Sequence, residues 1–236
     1  MNTLVPVIST QGLLLAFIPA AVVIGIMLRW RSIASTAIYA TLRMLLQLLL
    51  IGYVLIYVFE TDHWLVIVTV LVIMLTISSW ISIRTLDRRS MRAFWHALCA
   101  ISVGGVLTLG LVTQLVINVD PWFSPRYVVP LAGMTFAGSM NAVSLAAERF
   151  QAESHRGVDY LEARRTAFRA ALIPIINSLF AVGLVALPGM MTGQILSGVS
   201  PLIAAQYQIV VMTMLLGATG ISAATYLSLQ SSQEIP

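Results

Sequence analysis

The chain has 236 residues, 59% of them apolar and 9% charged, with a formal net charge of +4 and a mean hydropathy of +0.93. A soluble domain carries roughly a quarter charged residues, so this composition excludes a water-soluble globule and makes a lipid bilayer the expected solvent. The positive charge is all arginine; lysine is absent, and no function is read into that choice.

Apolar blocks follow one another along the chain, and most reach the ~20 residues that a helical span needs. The first is Gln11–Leu28. Met1–Thr10 before it carries no charged side chain, whereas Arg29 and Arg31 follow it. A cleavable signal has its positive charge in front, so this block reads as a retained span entering from outside. The second block, Ala37–Phe59, contains Arg43, the one charge well inside an apolar stretch, with Gln47 a helical turn later on the same face. Arg43 lies ~9 Å from the start of that block at the helical rise. It fits snorkelling to the interface, a structural pair with Gln47, or a pathway or gating role. The third and fourth blocks are Trp64–Ile83 and Trp95–Ile117. The sole cysteine, Cys99, falls in the fourth; it cannot form a disulfide within the chain and reads as a small buried apolar residue.

The fifth block, Tyr127–Ala147, holds Met134, Met140 and Asn141 among small residues (Gly133, Ala137, Gly138, Ser139) that permit close helix approach. After it comes Glu148–Arg169, which mixes both charge signs with a few apolar residues. Leu161 and Phe168 are seven apart on one helical face, Tyr160 and Ala167 lie beside them, and Glu162 can pair with Arg165 or Arg169. The pattern fits a short helix on the membrane surface, a segment seated in a groove of a cytoplasmic partner, or a basic loop held by anionic lipid. The sixth block, Ala171–Leu187, is short, carries Asn177 and ends at Leu187-Pro188-Gly189. Proline cannot donate to the helical ladder, so Met190–Pro201 is expected as a broken helix, a re-entrant segment or an external loop. Broken backbone at membrane depth is tolerated only against protein or water. The seventh block is Ile203–Leu229, and the polar tail from Ser231 is expected to fray. Amides at Asn141, Asn177, Gln194, Gln206 and Gln208 suit helix-to-helix glue. The methionines Met134, Met140, Met190, Met191, Met212 and Met214 could ligate soft metals, although core filling is the plainer reading.

Seven spans with the N-terminus outside put Arg29, Arg31, Arg84, Arg88, Arg89, Arg92, Arg149, Arg156, Arg164, Arg165 and Arg169 on the cytoplasmic side, and Glu60, Asp62, Asp120 and Arg126 outside. That satisfies the positive-inside rule, and Trp30, Trp64, Trp80, Trp95, Trp122 and Tyr127 fall near span ends as interfacial anchors do. His63, His96 and His155 show no metal-ligand spacing, and no phosphate-binding loop or nucleophile elbow is present. Asp and Glu are confined to the loops, so no intramembrane carboxylate pair offers acid–base chemistry. An enzyme is not expected, nor a nucleic-acid partner, and any ATP that drives the protein must be bound by another chain.

Several strings resemble the FetB family of transporter permeases. Arg43-x-x-x-Gln47 followed by Gly52-Tyr53-Val54-Leu55 is similar to its second span, and Pro130-Leu131-Ala132-Gly133-Met134 with Met140 to its fifth. The most specific run is Arg169-Ala-Ala-Leu-Ile-Pro174, Val182-Gly183-Leu184-Val185 and Leu187-Pro188-Gly189-Met190-Met191-Thr192-Gly193, continuing through Gly198, Ser200-Pro201 and Gln208-Ile209. The resemblance spans nearly the whole chain. It departs where the family carries Gly-Asn-x-Met, here Ala137-Gly138-Ser139-Met140 with an amide returning at Asn141. It departs again where an acid and a lysine early in the sixth span are replaced by Asn177 and Phe180.

The family's members are ABC permeases linked to iron export in bacteria, with plant relatives in aluminium tolerance. The resemblance therefore implies an all-α, polytopic, single-domain permease of about seven spans in the bacterial inner membrane. It implies a short cytoplasmic coupling helix within residues 148–169, a broken helix near Pro188-Gly189 and a cytoplasmic C-terminus. It further implies a homodimer on two copies of a separate ATPase, which binds ATP and Mg while this chain binds no cofactor. Coupling is expected at Tyr160, Leu161, Glu162, Arg164, Arg165 and Phe168. A pathway is expected among Arg43, Gln47, Met134, Met140, Asn141, Asn177, Pro188, Gly189, Met190 and Met191, with metal ligands unassigned. A secondary transporter or channel without an ATPase, a permease for a non-metal cargo, and a non-transporting lipid-handling subunit are the competing readings.

Overall fold

The structure, a computed structural model, describes residues 8–86 and 89–230. Arg88, the start of the N-terminal stretch and the tail from Ser231 lie outside the described residues. The chain divides into two compact units, Met1–Glu60 and Thr61–Pro236.

The first unit is a helical hairpin. Helix α1 (Thr10–Leu15) starts where the Ser9 hydroxyl accepts from the Gly12 N–H, and after a short break α2 (Ile18–Arg29) begins with a proline in its first turn. The turn is made by Arg31 at φ 50°, and α3 (Ala34–Glu60) returns for 27 residues, ~40 Å at the helical rise. The sides of α3 are almost wholly exposed apolar surface, which in water would aggregate and in lipid is solvated.

The second unit is a bundle. Helix α4 (Trp64–Ser82) is followed by one long rod made of α5 (Met91–Ile101), a π-helical turn (Ser102–Val106), α6 (Leu107–Leu111) and a second π-helical turn (Val112–Val116). Helix α7 (Pro125–His155) is the longest at 31 residues. Helix α8 (Tyr160–Ala181), the short α9 (Gly189–Leu196) and α10 (Pro201–Leu229) complete it. Caps fix several starts: Ser90 accepts from Ala93 N–H, Asp159 from Leu161 N–H and Ser200 from Ile203 N–H.

Six helical stretches among the described residues are long and apolar enough to cross a bilayer: Thr10–Arg29, Ala34–Glu60, Trp64–Ser82, Met91–Val116, Pro125–His155 and Pro201–Leu229. The chain is thus a polytopic helical membrane protein. The expected sixth block is the exception. Its helix ends at Ala181 rather than Leu187, because Gly183 at φ 81° turns the chain and its N–H bonds Ala186 O at 3.0 Å. The first half of α8 is charged, and its apolar part from about Ala170 to Ala181 is shorter than a full span needs.

Two other expectations change. Glu148–Arg169 is not a helix of its own. Its first half ends α7, its second half begins α8, and Arg156–Asp159 is the turn. The reason is that both halves carry an apolar seam as well as charge. Ala163, Ala167 and Ala171 on α8, one turn apart, pack on Ala142, Ala146 and Phe150 of α7 and on Ala223 and Leu227 of α10. Glu148, Glu153 and Glu162 therefore sit on helices and not in loops. Cys99 is exposed, not buried, because α5 turns Ala97, Ala100 and Ile101 to the core instead.

The main core joins α4, α5, α7 and α10 around Phe136, Leu131, Ile101 and Met214. Its closest crossing is at the first π-helical turn. A Cβ built on Gly104 would stand 2.2 Å from Ser222 Oγ, 2.6 Å from Ser222 N and 2.7 Å from Ala218 O. From α7, the Ser139 hydroxyl donates to the same Ala218 O at 3.3 Å.

Candidate functional site

Length decides how α7 and α8 sit in a bilayer. At 31 residues α7 is ~46 Å long, against a hydrocarbon core ~30 Å thick. Apart from Arg126 in its first turn, its charged and titratable groups lie at the C-terminal end (Glu148, Arg149, Glu153, His155), so an upright α7 would project there by about three turns. Helix α8 begins in the projecting part, and its apolar remainder after Arg169, Ala170–Ala181, is ~18 Å long. That length is too short to cross the hydrocarbon, so with α8 upright the turn at Val182–Pro188 would lie at membrane depth. The turn answers much of its own hydrogen bonding: the N–H groups of Val185 and Ala186 both reach Ala181 O, at 2.8 and 3.1 Å.

Between α7, α8 and α10 lies a cavity of about 270 Å³. Helix α7 contributes Met134, Gly138, Asn141 and Leu145, which share one face at spacings of four, three and four. Helix α8 contributes Ala171, Pro174, Ile175 and Ser178, and α10 contributes Leu215 and Thr219. Pro174 has no N–H to give Ala170 O, so it opens the ladder of α8 beside the cavity. The Ser178 hydroxyl donates back to Pro174 O at 2.9 Å, and Thr219 donates to Leu215 O at 2.7 Å. The lining offers one thioether, one amide and two hydroxyls, and no charged group.

The expected pathway residues divide accordingly. Met134 and Asn141 meet in this cavity. Met140 and Met190 pack on the main core. Asn177 is exposed and outside the lining. Pro188 caps α9, its carbonyl accepting from the Thr192 hydroxyl at 3.2 Å, Gly189 is the first residue of α9, and Met191 is half-buried on it. Arg43 and Gln47 lie one turn apart on the exposed surface of α3, in the first unit. Ser178, Thr219 and the opening at Pro174 carried no signal of their own; a proline four residues before a serine in an apolar block is the pattern that marks them. Among the described residues no group of three or more His, Cys, Asp or Glu could hold a metal ion.

At the projecting hairpin the six expected coupling residues face two ways. Tyr160 is held inward: its hydroxyl donates to Gln230 O at 2.9 Å and lies 3.5 Å from Leu227 O, and its ring meets Phe150 edge-on at 5.9 Å. Phe168 packs on the alanine seam. Leu161, 56% exposed, stands outward with Glu162 and Arg165, around a cavity of about 420 Å³ that Arg169 also lines. Arg164 spans both sets, its guanidinium 5.8 Å from the Tyr160 ring centroid. Ion pairing falls on Glu153, 7% exposed, which binds Arg149 at 2.5 Å and Arg156 at 3.5 Å.

Comparison with known proteins adds to this geometry. Residues 10–234 match a family described as "Uncharacterised protein family (UPF0014)". A UPF0014 membrane protein of Synechocystis is 36% identical, over 87% of this chain and 85% of that protein. The Escherichia coli protein named "Probable iron export permease protein FetB" is 31% identical, over 91% and 88%. The Arabidopsis thaliana protein named "ALUMINUM SENSITIVE 3" is 31% identical, over 82% and 75%. No solved structure matches.

Proposed function

We propose, on the premise that this chain belongs to the UPF0014 family of membrane proteins, that it is the permease subunit of an exporter driven by a separate ATPase, with iron or a related metal species as cargo. The cargo class rests on the name of the Escherichia coli relative. The observation that carries the coupling half is the continuity of α8. One helix bears Leu161, Glu162 and Arg165 at its projecting end and Pro174 and Ser178 at the cavity. From Glu162 to Ser178 is ~24 Å along one helix, so a push on the hairpin moves a cavity wall. The alanine seam lets α8 slide or tilt against α7 and α10 without large side chains unlocking. A bare divalent cation would be heavily penalised among uncharged groups. A metal cargo would therefore pass in a coordinated, charge-balanced form, with Asn141 and Met134 as contacts. A second copy of the chain would cover Leu184 and Val185, 90% and 85% exposed at the turn after α8.

The test is reconstitution with the ATPase encoded by the same organism. The ATPase should copurify in mild detergent, and cargo export should follow ATP hydrolysis. Reversing Arg164→Glu and Arg165→Glu should cut export at least tenfold while the protein still inserts and hydrolysis continues. Unchanged coupling, or consistent absence of the ATPase from the preparation, would count against this reading.

A further inference from the structure

A second cavity, of about 320 Å³, lies between the start of α5 and the ends of α7 and α10. Its lining has a distinct chemistry. Arg92 and His96 come from α5 and Gln151, Ser154 and His155 from α7, while Ser90 precedes α5. One guanidinium, two imidazoles, hydroxyls and amides face one space, and among the described residues no carboxylate lines it. The nearby carboxylate of Glu153 is already taken by Arg149 and Arg156. His96 Nδ1 stands 3.4 Å from the Gln230 side-chain nitrogen, which fixes the ring against the end of α10. Arg92 has contacts within the protein, but a guanidinium has five donors in a fork that suits phosphate oxygens.

The level of the cavity identifies the source of the phosphate. Trp95, 58% exposed, follows Arg92 by three residues, one helical turn. Phe94 meets Trp95 at 5.6 Å and Trp80 of α4 at 5.9 Å. Exposed tryptophans of this kind mark the headgroup plane, and basic pockets between membrane helices at that plane suit anionic headgroups.

We propose that this cavity binds the phosphodiester of an anionic membrane lipid, with Arg92 and His96 as its principal contacts and Ser90 completing the set. The site stands apart from the transport reading: it requires neither an ATPase nor a cargo.

The experiment uses the full chain in a neutral detergent. Phosphatidylglycerol, phosphatidylcholine and inorganic phosphate are titrated separately, thermal midpoints are recorded, and lipid adducts are counted by native mass spectrometry. Phosphatidylglycerol should raise the midpoint and remain bound, and phosphatidylcholine should do neither. Arg92→Gln should weaken phosphatidylglycerol binding at least fivefold, and Arg126→Gln, at the other end of the bundle, should leave it unchanged. Should Arg92→Gln fail to fold, His96→Gln and His155→Gln carry the same comparison. An equal response to inorganic phosphate at matched concentration overturns the lipid assignment. An equal loss in Arg126→Gln, or no response to phosphatidylglycerol, overturns the site.

Discussion

Gly104 shows how tightly one residue can set this bundle. An added Cβ there meets not only the Ser222 hydroxyl but also backbone, at 2.6 and 2.7 Å, which cannot rotate away. Relief requires α10 to move away from the first π-helical turn, and overpacking of this kind costs about 1–3 kcal/mol. Gly104→Ala should therefore lower the thermal midpoint in detergent. Gly110→Ala should leave it unchanged or raise it, since a Cβ at Gly110 meets nothing within 4 Å and alanine favours the helix. Equal midpoints for the two variants would remove the close crossing from the account. Neither difference was legible in the sequence, where both glycines sit in one apolar block. The partner that separates them, Ser222, lies more than a hundred residues away. The same holds for Tyr160, whose hydroxyl partners are 67 and 70 residues distant; its aromatic and charged neighbours marked the segment but not the inward direction.

The elements divide by how local their cause is. Apolar blocks fixed by hydropathy were legible to within a few residues, as Trp64–Ile83 against α4 shows. The failures come where charge and packing share one helix. Glu148–Arg169 reads by its charge as a separate surface segment, a short helix or a basic loop, yet Ala163 and Ala167 with Ala171 beyond it form the seam on which α8 packs. Of the cavity, Met134 and Asn141 were legible as polar or soft positions in an apolar block, whereas Ser178 and Thr219 look like ordinary helix hydroxyls. Pro174 gives the element-scale test. Pro174→Ala restores a donor to Ala170 O and removes a residue disfavoured in helix interiors by ~3 kcal/mol. It should leave the thermal midpoint equal or higher and lower export at least threefold, because the wall beside Asn141 loses its opening. Export at the full rate in a stabilised Pro174→Ala protein would show that the opening has no part in transport.

At the scale of the second unit, three contacts establish which connections share an end. The Tyr160 hydroxyl on Gln230 O and Gln230 beside His96 bring together the starts of α5 and α8 and the end of α10. The Trp64 and Trp122 rings, 6.5 Å apart, bring together the start of α4 and the segment before α7. Arg84, Arg89, Arg92, Arg149, Arg156, Arg164 and Arg165 then fall toward the first end and Arg126 toward the second. If arginine is retained on the cytoplasmic side, the hairpin end is expected to face the cytoplasm. The lone cysteine makes this measurable. In a Cys99→Ser background, Arg89→Cys and Arg156→Cys should react with a membrane-impermeant maleimide only when the cytoplasmic face is exposed, as in inverted vesicles. Asp62→Cys should react only in intact cells or right-side-out vesicles. Labelling of Arg156→Cys and Asp62→Cys from one side would break the bundle's topology. Labelling of all three from the reversed sides would keep the bundle and turn the hairpin away from any cytoplasmic ATPase, which would end the coupling proposal while leaving the lipid site intact.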